Sequence, residues 1–78
     1  MALQQPADFH TLLTERERES VGLVAQGYSA REIAERFKIS PRSVDAIIDR
    51  ARLKLNARNR PHMVALAVRA GLVDPAVD

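Results

Sequence analysis

Apolar and polar positions alternate along this chain with the period of a helix. The clearest stripe is Val44, Ile47, Ile48, Ala51 and Leu55, spaced i, i+3, i+4, i+7 and i+11. That spacing puts all five on one side of a helix predicted from Pro41 to about Leu55. Upstream, Ile33, Ala34 and Phe37 share a face of a shorter helix over about Ala30 to Phe37. Two turns are not stable alone, so this helix must be held by packing. Earlier still, Val21, Val24 and Ala25 form one face, with Leu23 flanking it. After Pro61 come Met63, Val64, Ala65, Leu66, Ala67, Val68 and Ala70, apolar nearly all round. Such a helix places one side on a core and leaves the other for a partner.

Capping residues fix where these helices begin. Thr14 with Glu17, and Ser29 with Glu32, are capping boxes: the hydroxyl takes the amide three residues on, and the glutamate returns to the cap amide. Ser40-Pro41 pairs a capping residue with the imino acid suited to the first helical position, and Asn59 or Arg60 precedes Pro61 in the same way. Gly27 and Gly71 sit where left-handed stops are needed. Ser20 and Gly22 are weak points within the first helix. No strand-period alternation, internal repeat or low-complexity segment occurs. The expectation is an all-α fold of four helices over residues 13–73, with a flexible lead-in at 1–12, whose Phe9 and Leu12 can fold back onto the core, and a short tail at 74–78. Only Lys38-Ile39 separates the second helix from the Ser40 cap, which is the spacing of a helix-turn-helix.

At 78 residues the chain is one small domain whose thin core dimerisation can support. There is no cysteine, no stretch approaching a membrane span and no signal-peptide start, so a reducing, cytoplasmic setting and no membrane are expected. Net charge is only +2, but Arg50, Arg52, Lys54, Arg58 and Arg60 form a run without an acid. A solvated helix face is the plain account of such a run; a phosphate-facing surface is the functional one. Catalysis has little support. His10 and His62 lack a serine, cysteine or carboxylate partner at a telling spacing, and three scattered glycines make no phosphate loop. No enzyme activity, cofactor or metal is expected. Tyr28 fits the edge of the core between the first two helices better than a base-stacking platform.

Several separated motifs then fall in one register: LTERERES from Leu13, LVAQGYSAREIAERFKIS from Leu23, Ser43-Val44, Lys54-Leu55 and the closing RAGLV. Together they resemble the LuxR-type (GerE- or FixJ-type) helix-turn-helix domain across Leu13 to Val73. The family pattern runs Leu-Thr-x-Arg-Glu-x-Glu, then Gly-x-Ser/Thr-x-x-Glu-Ile-Ala, then Lys-Leu and a late Gly-Leu. The resemblance implies a tetrahelical fold, cytoplasmic transcription regulation, double-stranded DNA as partner, and a homodimer through the last helix, for which Met63, Leu66, Ala67 and Ala70 are the candidates. Most members carry a receiver or ligand-binding domain as well; this chain resembles the short stand-alone members or a fragment.

Carried over residue by residue, the resemblance assigns phosphate contact to Ser40, Arg42 and Ser43 at the opening of the recognition helix and to Lys54 of the Lys-Leu pair. Ser29 and Arg50 complete the candidate phosphate set. Glu17 and Glu32 match scaffold acids with capping and interhelix ion-pair roles, and Arg60 matches an arginine opening the last helix. The recognition helix departs from the pattern. An often-basic residue, a variable one and a histidine follow Ser43-Val44 in the family; here they are Asp45, Ala46 and Ile47, with Asp49 one turn on. Arg42, Asp45, Ala46, Asp49 and Leu53 share the face opposite the core stripe, so Asp45, Ala46 and Asp49 are the base-facing candidates.

Two carboxylates there repel phosphate. They can accept from the N4 amino group of cytosine, or pair with Arg42, Arg50 or Arg52 on a face turned to protein contact, or simply balance the helix charge. The leading expectation is a homodimeric DNA-binding regulator with half-sites about one helical turn apart. The alternatives are an interaction module that dimerises with a larger LuxR-type regulator, and a sigma-factor-like domain that meets RNA polymerase.

Overall fold

The computed structural model describes residues 12–73. Four helices occur in order: α1 (Glu15–Ala25), α2 (Ala30–Phe37), α3 (Pro41–Lys54) and α4 (Arg60–Arg69), and no strand occurs among the described residues. The expected all-α, four-helix architecture is thus present. Most of the lead-in, including Phe9 and His10, and the tail at 74–78 lie outside the described residues. Leu12 is 39% exposed rather than folded onto the core.

Each helix starts on a side chain three residues from the amide it satisfies. Thr14 and Ser29 form complete capping boxes, Ser40 accepts from the Ser43 amide, and Asn59 accepts from the His62 amide. Each helix ends on a left-handed residue, at Gly27, Lys38, Asn56 and Gly71. At Gly27, Asn56 and Gly71 the chain closes as a paired turn: the Tyr28, Ala57 and Leu72 amides reach back to Leu23, Arg52 and Ala67 carbonyls at 3.0, 3.0 and 2.9 Å. Lys38 does the same work without being glycine, at φ 61°, with the Ile39 amide 3.1 Å from the Ala34 carbonyl.

Helix α3 packs against α1, α2 and α4, and its stripe is the centre of the core. Val44, Ile48 and Ala51 are fully buried and Leu55 nearly so, with Val21, Ile33 and Met63 closing over them. Ile47 stays half-buried at the edge of the stripe. On α1 the buried face is Glu17, Ser20, Val21 and Leu23, which shifts the expected stripe toward the N-terminus and brings Leu23 into the core; Val24 and Ala25 are half-buried. Glu17 on this face is buried and paired with Lys54 of α3.

The fourth helix corrects one expectation. Met63 and Ala67 are 0% exposed and belong to the core of the single chain, so they are not available as a dimer face. They lie four apart, on the side of α4 that the core covers. Leu66 and Ala70 remain half-exposed, and Leu66 also leans on the core cluster.

Candidate nucleic-acid interface

The turn between α2 and α3 is short because both of its ends are built in. Lys38 stops α2 in the left-handed conformation, and two residues later Ser40 caps α3. The Ser40 hydroxyl accepts from the Ser43 amide at 3.1 Å and donates to the Ser43 hydroxyl at 3.0 Å. Pro41 has no N–H, so among the first three residues of α3 the Arg42 amide is the donor left over. Ser29 is similarly engaged: its hydroxyl takes the Glu32 amide at 3.1 Å, and Glu32 returns to its amide at 2.8 Å. Both serines remain exposed at the ends of their helices.

With its core stripe covered, α3 turns Arg42, Ala46, Asp49 and Leu53 outward, and Leu53 is 67% exposed. Asp45 lies on the same face, half-buried by its partner. That partner is Arg60, which was not among the arginines considered from the sequence. A single guanidinium nitrogen of Arg60 is 3.2 Å from Asp45 Oδ1 and 3.6 Å from Asp49 Oδ1. Arg52 adds a longer pair, Nε to Asp49 Oδ1 at 3.8 Å, and donates to the Ala57 carbonyl at 3.2 Å. Of the three expected partners only Arg52 meets an α3 aspartate; Arg42 and Arg50 have no pair with Asp45 or Asp49. The sequence did carry a trace of Arg60. A cation at the first position of a helix faces the positive end of the dipole, a placement that calls for a compensating acid.

Lys54, a phosphate candidate by resemblance, has its ammonium 2.9 Å from Glu17 Oε1, with 29% of its side chain exposed. Glu17 is 1% exposed and also accepts from the Thr14 amide at 2.9 Å through the same oxygen. Its other oxygen, Oε2, has no hydrogen bond and lies 3.8 Å from Arg50. Burial alone pushes the Glu17 pKa up; the hydrogen bonds from Lys54 and Thr14 and the charges of Lys54 and Arg50 outweigh it, holding the carboxyl below its ordinary value. Arg50 itself keeps 58% of its side chain exposed and stays on the outer flank of α3.

Two arginines stack on rings beside the turn. The Arg16 guanidinium lies 4.0 Å from the centre of the Phe37 ring and Arg36 lies 5.2 Å from that of Tyr28. Tyr28, 36% exposed, is therefore a partly covered edge residue. No cluster of three or more His, Cys, Asp or Glu suited to a metal occurs among the described residues, and no helix among them is long and apolar enough to cross a membrane.

Comparison with known proteins bears on the whole of this arrangement. Residues 11–67 match the family described as bacterial regulatory proteins, luxR family. Over 65 residues the chain is 45% identical to the transcriptional activator protein BjaR1 of Bradyrhizobium diazoefficiens, covering 83% of this chain and 27% of that protein. Over 63 residues it is 36% identical to the oxygen regulatory protein NreC of Staphylococcus carnosus, covering 81% and 29%. The response regulator protein VraR of Staphylococcus saprophyticus is 34% identical over 71 residues, covering 91% and 34%. This chain therefore spans about a third or less of the length of these curated relatives. The solved structure of the transcription factor GerE superposes with a TM-score of 0.77 at 33% identity, covering 81% of this chain and 94% of that one. In sequence register and in fold, the chain belongs to the LuxR family of bacterial regulatory proteins, as a four-helix, helix-turn-helix domain.

Proposed function

We propose that this domain binds double-stranded DNA as a homodimer, with α3 in the major groove. The observation that carries this reading is the outward face of α3. Arg42, Asp45, Ala46, Asp49 and Leu53 stand clear of the core on a helix whose opposite side buries Val44, Ile48 and Ala51. A helix held this way can enter a groove about 12 Å wide without disturbing the domain that carries it.

The roles divide by position. Ser29, Ser40, Arg42 and Ser43 lie at the helix starts, where hydroxyls, the Arg42 amide and its guanidinium meet phosphate. Arg50 adds a cation on the flank. Asp45, Ala46 and Asp49 face base edges: a carboxylate accepts from the cytosine N4 amino group, and the Ala46 methyl suits a thymine methyl. Leu66 and Ala70 on α4 are the dimer contacts left after Met63 and Ala67 are assigned to the core. The names of the relatives, a transcriptional activator and a transcription factor among them, fit this role.

Titration of the chain by fluorescence anisotropy against a random duplex pool, over a range of salt, tests it. Binding whose logarithm falls linearly with the logarithm of salt is expected, and sequencing the bound fraction supplies the site. Failure to bind any duplex at low salt, or binding indifferent to salt, overturns it. Sedimentation at the same concentrations reads the dimer.

A further inference from the structure

Arg60 occupies a position that is costly unless its surroundings compensate. It is the first residue of α4, where the helix dipole presents its positive end. Asp45 and Asp49 are in the complementary difficulty, two like charges one turn apart on α3. One guanidinium nitrogen resolves both, at 3.2 and 3.6 Å from their Oδ1 atoms. The connection that delivers Arg60 is itself tied down. Arg52 holds the Ala57 carbonyl at 3.2 Å, the Arg58 amide donates to His62 Nδ1 at 3.0 Å, and the His62 amide donates to Asn59 Oδ1 at 2.9 Å. Arg60 is thus placed by a built loop, on a helix that does not enter the groove in the proposed mode.

We infer that Arg60 is a positioning residue for the recognition face, acting on DNA through Asp45 and Asp49 and not as a phosphate ligand. The inference rests on the reading of α3 as the groove helix. With Arg60 in place, and Arg52 3.8 Å from Asp49, the two carboxylates are charge-compensated as the helix approaches the phosphates. The second oxygen of each carboxylate lies outside these pairs and is left to accept from a cytosine amino group. Without Arg60, Asp45 has no paired cation and Asp49 keeps only the longer contact to Arg52 as they enter a groove lined by negative charge.

A double-mutant cycle separates this role from direct phosphate contact. The full chain is compared with Arg60→Ala, with Asp45→Asn/Asp49→Asn, and with the triple variant, each against the duplex selected by the parent chain and against the same duplex with its contacted C·G pairs changed to T·A. Arg60→Ala alone should weaken binding about tenfold at low salt and lose most of the preference for C·G. In the asparagine background the same substitution should change affinity less than about twofold, because the charges it compensates are gone. An equal loss in both backgrounds makes Arg60 a phosphate ligand and overturns the inference while the groove reading stands. No duplex binding by the parent chain overturns both. Arg60→Gln, which keeps a hydrogen-bonding stem, repeats the cycle if circular dichroism shows Arg60→Ala to be unfolded.

Discussion

Lys54 reaches 2.9 Å to Glu17 across 37 residues of sequence, joining the last turn of α3 to the first turn of α1. The carboxylate is buried, while 29% of the lysine side chain is accessible. Removing the lysine leaves a buried carboxylate with only the Thr14 amide and a distant Arg50. Lys54→Met should therefore destabilise the domain by about 1–3 kcal/mol in urea titrations. It should leave the salt slope of DNA binding unchanged, since Lys54 is engaged inward; a slope reduced by about one would return it to the phosphate set.

The same carboxylate makes folding sensitive to acid. Its folded-state pKa lies below the ordinary value, so its contribution is present above the unfolded pKa of about 4.3 and lost as pH falls through the folded value. Urea midpoints measured from about pH 5 down to about pH 3 should fall more steeply for the parent chain than for Glu17→Gln. At neutral pH the glutamine variant should be the less stable, and the difference should shrink as pH falls. Parallel curves over that acid range would show that Glu17 is not the titrating group.

Ser20 is 0% exposed and its hydroxyl has no hydrogen-bond partner. A buried hydroxyl left unpaired costs about 1–3 kcal/mol, while the methyl of alanine costs nothing there and alanine is the better helix former. Ser20→Ala should raise the thermal midpoint. A lower midpoint would mean that the hydroxyl is bonded in solution.

The four left-handed helix ends are not equivalent. Gly27 and Gly71 have room for a Cβ, so the penalty for alanine there is one of backbone angle alone, about 1 kcal/mol each by urea titration. Lys38 and Asn56 already bear that strain at φ 61° and 59°. Replacing either by glycine should stabilise by about 0.5 kcal/mol, the relief being partly offset by the entropy of the freer unfolded chain. Loss of stability at Lys38→Gly would point instead to a contact made by the lysine side chain.

What the sequence disclosed depended on distance along the chain. Capping boxes and the α3 stripe are local, each decided within one to four turns of helix, and the structure holds them as expected. The outward set on α3 followed from the stripe by simple geometry. The contacts that redefine the site are not local. Lys54 was read as a phosphate contact of the Lys-Leu pair, and its contact with Glu17 depends on how α1 crosses α3. Arg60 was visible as an arginine opening a helix, but its reach to Asp45, 15 residues earlier, depends on the path of the connection between α3 and α4. Met63 and Ala67 failed as dimer residues for a related reason: an all-round apolar helix does not announce which side its own chain covers. Lys38 and Asn56 went unnoticed as stops because neither is glycine.

The ion pairs between α4 and the outer face of α3 bear on how such a domain changes its target. A recognition helix whose outer residues touch nothing else is a cassette: its five outward positions can be exchanged between relatives like the bits of a tool. Here the cassette is not closed, because Asp45 and Asp49 share an ion pair with a residue on another helix. If α3 reads bases as proposed, grafting its specificity onto a relative calls for six positions, the sixth being Arg60.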